Sequence, residues 1–91
     1  MTERILTRHP QGKSGKNIPR EKYHPVKEAI VAALGQGELT HSELMAKVEA
    51  SLRGRFEGNT HWYGETVKLD LEARRIIERV GSKPERYRRI R

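Results

Sequence analysis

The sequence predicts an α+β fold, mostly helical, in which three helices precede a C-terminal β-hairpin. Three observations carry that reading. Tyr23, Val26, Ile30, Ala33 and Leu34 recur at the spacing of one buried helical face. Thr40-His41-Ser42-Glu43 opens a second apolar stripe with the residue order of a capping box. The β-prone runs Ile76-Ile77-Glu78-Arg79-Val80 and Arg86-Tyr87-Arg88-Arg89-Ile90 flank the turn residues Gly81-Ser82-Lys83-Pro84.

Along the chain, Ile5-Leu6-Thr7 is a short β-prone run, and Pro10, Gly12, Ser14 and Gly15 then follow with loop chemistry. Residues 1–17 therefore read as a basic arm, extended or partly disordered, and residues 18–91 as the folded domain. The first helix starts after Ile18-Pro19. Proline is tolerated only in a first helical turn, so Pro25 points to His24 as N-cap of a slightly shortened helix, which Gly35 and Gly37 end. In the second helix the Thr40 hydroxyl and the Glu43 carboxylate satisfy each other's amides, and Leu39 and Leu44 form a hydrophobic staple. Leu44, Met45, Val48 and Leu52 are its buried stripe, and Gly54 is its stop. The third helix starts at an Asn59 or Thr60 cap. Trp62, Thr66, Leu69 and Ala73 make one apolar row and Tyr63, Val67 and Leu71 another, which leaves His61, Gly64, Glu65, Lys68 and Glu72 facing outward. A two-stranded hairpin is marginal alone in water. A third strand is expected either from the N-terminal apolar run or from the residues between the first and second helices.

Composition bounds the function. Ninety-one residues, 34% hydrophobic and 34% charged, suffice for one domain with a modest core. The absence of Cys excludes a disulfide framework, a thiolate metal site and a cysteine nucleophile. No run approaches the ~18 apolar residues of a membrane span, and the N-terminus lacks the apolar stretch of a signal peptide, so a soluble cytoplasmic protein is expected. The four His show no metal spacing, no Ser sits in a nucleophile motif, and the acidic residues fall at positions expected to face solvent. The expectation is a non-enzymatic binding protein without cofactor or metal. The net charge of +7 is placed at the ends: residues 1–22 carry +4, residues 23–57 carry −1 and residues 58–91 carry +4. Such ends suit contact with a polyanion.

Three helices and a terminal hairpin in about seventy residues resemble a winged helix-turn-helix domain. The residues carrying the likeness are Leu39-Thr40-His41-Ser42-Glu43-Leu44, Val67-Lys68-Leu69-Asp70-Leu71-Glu72-Ala73-Arg74-Arg75, and Ile76-Ile77-Glu78-Arg79 leading to Tyr87-Arg88. Together with Gly15-Lys16-Asn17-Ile18, Glu21-Lys22-Tyr23 and Trp62-Tyr63, these stretches are similar to a small family of uncharacterised bacterial winged-helix proteins. The resemblance covers most of residues 15–91 and implies a fold more than a function, because winged helices bind DNA, RNA and proteins. Arg75 departs from it, since glycine often occupies the turn from third helix to wing; a left-handed Arg75 there costs about 1 kcal/mol, or else the turn differs.

Under that likeness the third helix would be the recognition helix, yet its expected outward face holds Glu65 and Glu72, which phosphates repel. Arg79, Lys83, Arg86, Arg88 and Arg89 in the wing are better candidates for the backbone of duplex DNA, with Lys68 beside them and Lys13 and Lys16 in the arm. The competing reading gives these cations a solubilising, edge-protecting role and makes the mixed-charge face of the third helix a protein-interaction surface. Trp62 is expected to pack in the core, and Tyr87 against the third helix. Gly12-Lys13-Ser14-Gly15 has the Gly-x-x-Gly form of an RNA-binding loop, but the strand and helix such a loop requires upstream do not fit before Gly12. It also fails as a phosphate-binding P-loop, with Asn17 where Ser or Thr belongs. Arg53-Gly54-Arg55 resembles a minor-groove hook and reads better as a helix stop.

Overall fold

A computed structural model of the chain describes residues 3–13 and 15–90. The N-terminal apolar run forms β1 (Arg4–Leu6), which pairs antiparallel with β2 (Asn17–Pro19), Ile5 opposite Ile18. Ile18 is buried and Ile5 packs against the same core, so the pair lies on the domain. The boundary drawn between residues 17 and 18 thus falls inside β2, and the arm is a hairpin joined to the fold by its own pairing.

β2 runs directly into α1 (Arg20–Leu34), which buries Tyr23, Val26, Ala29, Ile30 and Leu34. Helix α1 starts one turn earlier than the proline rule suggests. Pro19, not His24, is the N-cap residue, and His24 instead accepts a hydrogen bond from Arg20 Nε at 2.9 Å. Pro25 sits inside the helix and has no N–H for the Glu21 carbonyl. Both residues are exposed, where water can replace the missing donor.

Between α1 and α2 (His41–Leu52) the chain contributes β3 (Leu39–Thr40). This is the third strand the hairpin needed. It pairs with β5 (Arg86–Arg89), whose other edge pairs with β4 (Ile77–Val80), giving the antiparallel order β3-β5-β4 with Tyr87 between Leu39 and Arg79. The Thr40–Glu43 capping box is present in both directions, and Leu44, Met45, Val48 and Leu52 are buried as their spacing requires.

Helix α3 (Thr60–Ala73) is capped by the Asn59 side chain, which accepts from the Trp62 amide at 3.0 Å. Its rotation differs from the sequence expectation. The buried positions are Gly64, Val67, Lys68, Asp70 and Leu71, whereas Trp62 is 40% exposed and Thr66, Leu69 and Ala73 are half-buried. Gly64 is inside because α2 comes close: an added Cβ would lie 3.2 Å from Met45 Sδ. The helix ends in a Schellman-type turn. Ile76 N–H reaches Leu71 O and Arg75 N–H reaches Glu72 O, with Arg75 left-handed at φ 60° where glycine is usual. Of the two alternatives left open at that turn, the strained residue is the one adopted.

Candidate nucleic-acid interface

The side chains facing solvent around α3 are set by two internal polar clusters. One holds the N-terminal hairpin. Asp70 is fully buried, and its Oδ1 accepts from the Arg8 backbone N–H at 2.8 Å while Oδ2 accepts from the Tyr23 hydroxyl. Arg74 Nε donates to both oxygens at 2.9 Å, the i, i+4 pairing that helical geometry favours. Burial, and then the hydrogen bond to Asp70, push the Tyr23 phenol far above its usual range, so it remains a proton donor. The bond from Arg74 to Asp70 raises the guanidinium's affinity for its proton despite partial burial.

Thr7 is also buried. Its amide donates to Lys16 O and its hydroxyl accepts from the Lys16 amide, both at 2.8 Å, which closes the loop carrying Lys13. Gly15 permits that closure, because a Cβ there would fall 1.6 Å from Thr7 O. Lys13 and Lys16 are exposed on the closed loop, and neither has an ion-pair partner among the described residues. Arg8, His9, Lys13, Leu6 and Ala73 line an open depression where the loop meets the end of α3. Pro10 also borders a second depression, with Arg75, Arg79 and Ile90, at the base of the C-terminal hairpin.

The second cluster holds that hairpin. Lys68 was expected to face solvent and contact nucleic acid, but it is buried: Nζ lies over the Tyr87 ring, donates to the Tyr87 hydroxyl at 3.0 Å and pairs with Glu72 at 3.6 Å. This leaves no face of its ammonium for phosphate. Tyr87 packs against α3 as expected. Arg79 completes the cluster with Glu72 at 3.2 Å and Glu85 at 2.9 Å. Its partial burial opposes the charge, but Glu72 and Glu85 more than offset this and hold the guanidinium protonated.

The remaining basic residues of the hairpin divide in two. Arg88 pairs with Glu78 and lies 4.0 Å from Glu38, an exposed arrangement of the kind worth about 0–1 kcal/mol. Arg89 packs beside Gly35. Lys83 and Arg86 are exposed at the turn end with no ion-pair partner among the described residues. The sequence groups all five cations as one cluster; the carboxylates at 72, 78 and 85 distinguish Arg79 and Arg88 from Lys83 and Arg86.

Of the mixed-charge face expected on α3, Lys68 and Glu72 are taken up by the hairpin, and Glu65, still half-exposed, pairs with two histidines. His41 Nε2 lies 3.3 Å and His61 Nε2 3.6 Å from the Glu65 carboxylate. Burial, with Lys68 nearby, lowers the pKa of His41 below its usual value. No group of three or more His, Cys, Asp or Glu among the described residues is placed to hold a metal. His61 and Trp62 are exposed at the start of α3, and Glu65, Thr66, Leu69 and Ala73 are half-buried.

Residues 4–87 match the model of DUF6958, a family of unknown function. The chain belongs to that family. No curated protein and no solved structure matches the sequence. No helix among the described residues is long and apolar enough to cross a membrane.

The buried carboxylate Asp70 was missed from the sequence, which placed acidic residues on exposed faces. A signal was present: Asp70 and Arg74 are i, i+4, and Asp70 shares the Tyr63 and Val67 side of the helix.

Proposed function

We propose that this DUF6958 protein is a winged helix-turn-helix domain, with β4 and β5 as the wing, that binds duplex DNA without catalysis by contacting its phosphate backbone. One observation carries the reading: both basic ends of the sequence are tied to α3, on opposite flanks of its outward face. The N-terminal hairpin is held at Asp70 and the wing at Lys68 and Glu72. At 100° per residue, Asp70 and Glu72 point about 160° apart around the helix axis, with Trp62 and Leu69 between them. A helix laid in a groove in this way would carry a cationic hairpin toward each phosphate strand.

The phosphate donors are Lys83 and Arg86 in the wing and Lys13 and Lys16 in the N-terminal loop. Arg79 serves to hold the wing on α3, and Arg88 is recruited only by releasing Glu78. The outward row of α3 has no Arg, Lys, Asn or Gln with which to read base edges, so affinity is dominated by backbone contacts. Binding is then expected to fall steeply with salt. Replacing Lys83 and Arg86 by Ala, or Lys13 and Lys16 by Ala, flattens the log–log salt slope by about 1 per lost contact. Amide spectra recorded with a random duplex at ~50 mM salt provide the decisive check. Unmoved resonances at both residues 81–89 and residues 8–16 would sink the proposal.

A second reading, a protein-interaction module, is favoured by the apolar character of that same row. It differs in expecting binding that is insensitive to salt and sensitive to changes at Leu69.

A further inference from the structure

Trp62 is the only Trp of the chain, and its helical spacing with Thr66, Leu69 and Ala73 marks it for a core, yet the residue is 40% exposed. It is nevertheless held in place. The Tyr63 ring stands perpendicular to it at 5.0 Å, and Phe56 stands edge-on to Tyr63 at 5.3 Å. Lys22 caps the far end of this row, 4.9 Å from the Phe56 centroid, and its Nζ donates to the Glu57 carbonyl. The backbone is shaped to fit: Gly58, at φ 126°, lies where a Cβ would sit 3.1 Å from the Tyr63 ring. The result is an aromatic row that starts on α1 and the α2–α3 turn and ends in an exposed indole at the start of α3.

The charges near this row are mixed: Lys22 lies at its far end, over Phe56, Arg55 is folded back onto Ser51 O, and Glu65, one turn along α3 from Trp62, pairs with His41 and His61. An exposed indole that is already oriented suits stacking by a planar aromatic group. A nucleobase has that chemistry.

We propose that Trp62 is a stacking residue for an unpaired nucleobase, so that the protein binds single-stranded or locally opened nucleic acid at the start of α3. This rests on the nucleic-acid reading above and adds to it a contact with bases rather than phosphates. Because every base has a π-face, the stack tolerates any sequence. That agrees with an α3 row that has few groups for reading base edges.

The test uses the full chain and two labelled probes, a thymidine 12-mer and a 12-bp duplex, in anisotropy titrations with Trp emission followed in parallel. The 12-mer is expected to quench the Trp62 emission. Trp62→Ala weakens its binding roughly 5- to 150-fold, the range for losing one stacked base, and Trp62→Phe restores much of that loss. Far-UV circular dichroism of Trp62→Ala, expected to match the parent, separates loss of the stack from loss of the fold. If the duplex binds but the 12-mer leaves the emission unchanged and Trp62→Ala binds as the parent does, the stacking proposal falls and backbone binding stands. If neither probe binds at ~50 mM salt, both fall, and the exposed indole is left to a protein partner.

Discussion

Replacing Asp70 by Ala tests whether one buried carboxylate holds the N-terminal hairpin to the helices. The substitution strands the Tyr23 hydroxyl in the core and leaves the Arg8 amide without its acceptor. A buried donor left unsatisfied costs about 1–3 kcal/mol. The Arg74 side chain, 31% exposed, turns to water and adds little. The sum is about 2–6 kcal/mol, which brackets the range for breaking one side of a buried ionic contact and is a large share of a typical domain stability of ~5–15 kcal/mol. Asp70→Asn retains an acceptor for the Arg8 amide and lets the Tyr23 hydroxyl accept, so about half that loss is expected. Urea unfolding of the parent, both variants, Tyr23→Phe and the double variant gives the Tyr23–Asp70 coupling, expected at about 1–2 kcal/mol. Amide hydrogen exchange supplies the local readout: in Asp70→Asn, Thr7 and Arg8 lose protection before the α1–α3 core does. A loss below about 1 kcal/mol in Asp70→Ala, with Arg8 protection intact, would show that the hairpin is held by apolar packing alone.

Other changes probe different parts of the fold. Arg75→Gly relieves a left-handed residue at the end of α3, and after allowance for the greater freedom of glycine in the unfolded chain it is expected to stabilise by about 0.5–1 kcal/mol in urea titrations. Gly15→Ala drives a methyl into Thr7 O, so the Thr7 and Lys16 amides are expected to exchange freely in an otherwise folded protein. His41 has a folded pKa below the 6.5 of a free histidine, so the unfolded chain binds more protons between the two values. Stability therefore falls as pH drops from 6.5 toward the folded value and levels off below it, and His41→Gln is expected to lessen that fall between pH 7.5 and 5. The Glu43 pKa is lowered, chiefly by the bond from the Thr40 amide, so its contribution is present at neutral pH and lost on acidification through its folded value. The stability difference between the parent and Glu43→Gln is accordingly expected to vanish in acid.

Much of the fold was legible because its signals are local. The capping box at Thr40, the α2 stripe, the turn at residues 81–84 and the anomaly at Arg75 each involve residues within a few positions of one another. The rotation of α3 was not, because Thr60–Ala73 carries apolar side chains on two rows and no sequence rule says which row meets α2. Gly64 decides it by allowing Met45 to approach. Burial of Lys68 and Asp70 depends on partners 19 to 62 residues away, Tyr87, Tyr23 and the Arg8 amide. The arm, expected to be extended or partly disordered, is extended at Arg4–Leu6, and its attachment is not legible locally: its loop closes through Thr7 and Lys16, while its anchor lies on α3. Trp62 was assigned to the core by spacing alone, although the row it belongs to faces away from α1 and α2.

The distribution of charge in space differs from that in sequence, and the difference bears on what the protein can recognise. Arg20, Arg74, Arg79 and Arg88 are each paired with a carboxylate, and of these Arg74 braces the Asp70 anchor of the N-terminal hairpin and Arg79 holds the C-terminal hairpin on α3. Among the described residues, Lys13 and Lys16 on the closed loop and Lys83 and Arg86 at the β4–β5 turn are cations with no carboxylate partner. If the protein binds DNA as proposed, two cationic tips flanking a helix without base-reading cations are expected to sense how far apart phosphates lie more than the bases between them, and selectivity to follow groove width and strand opening.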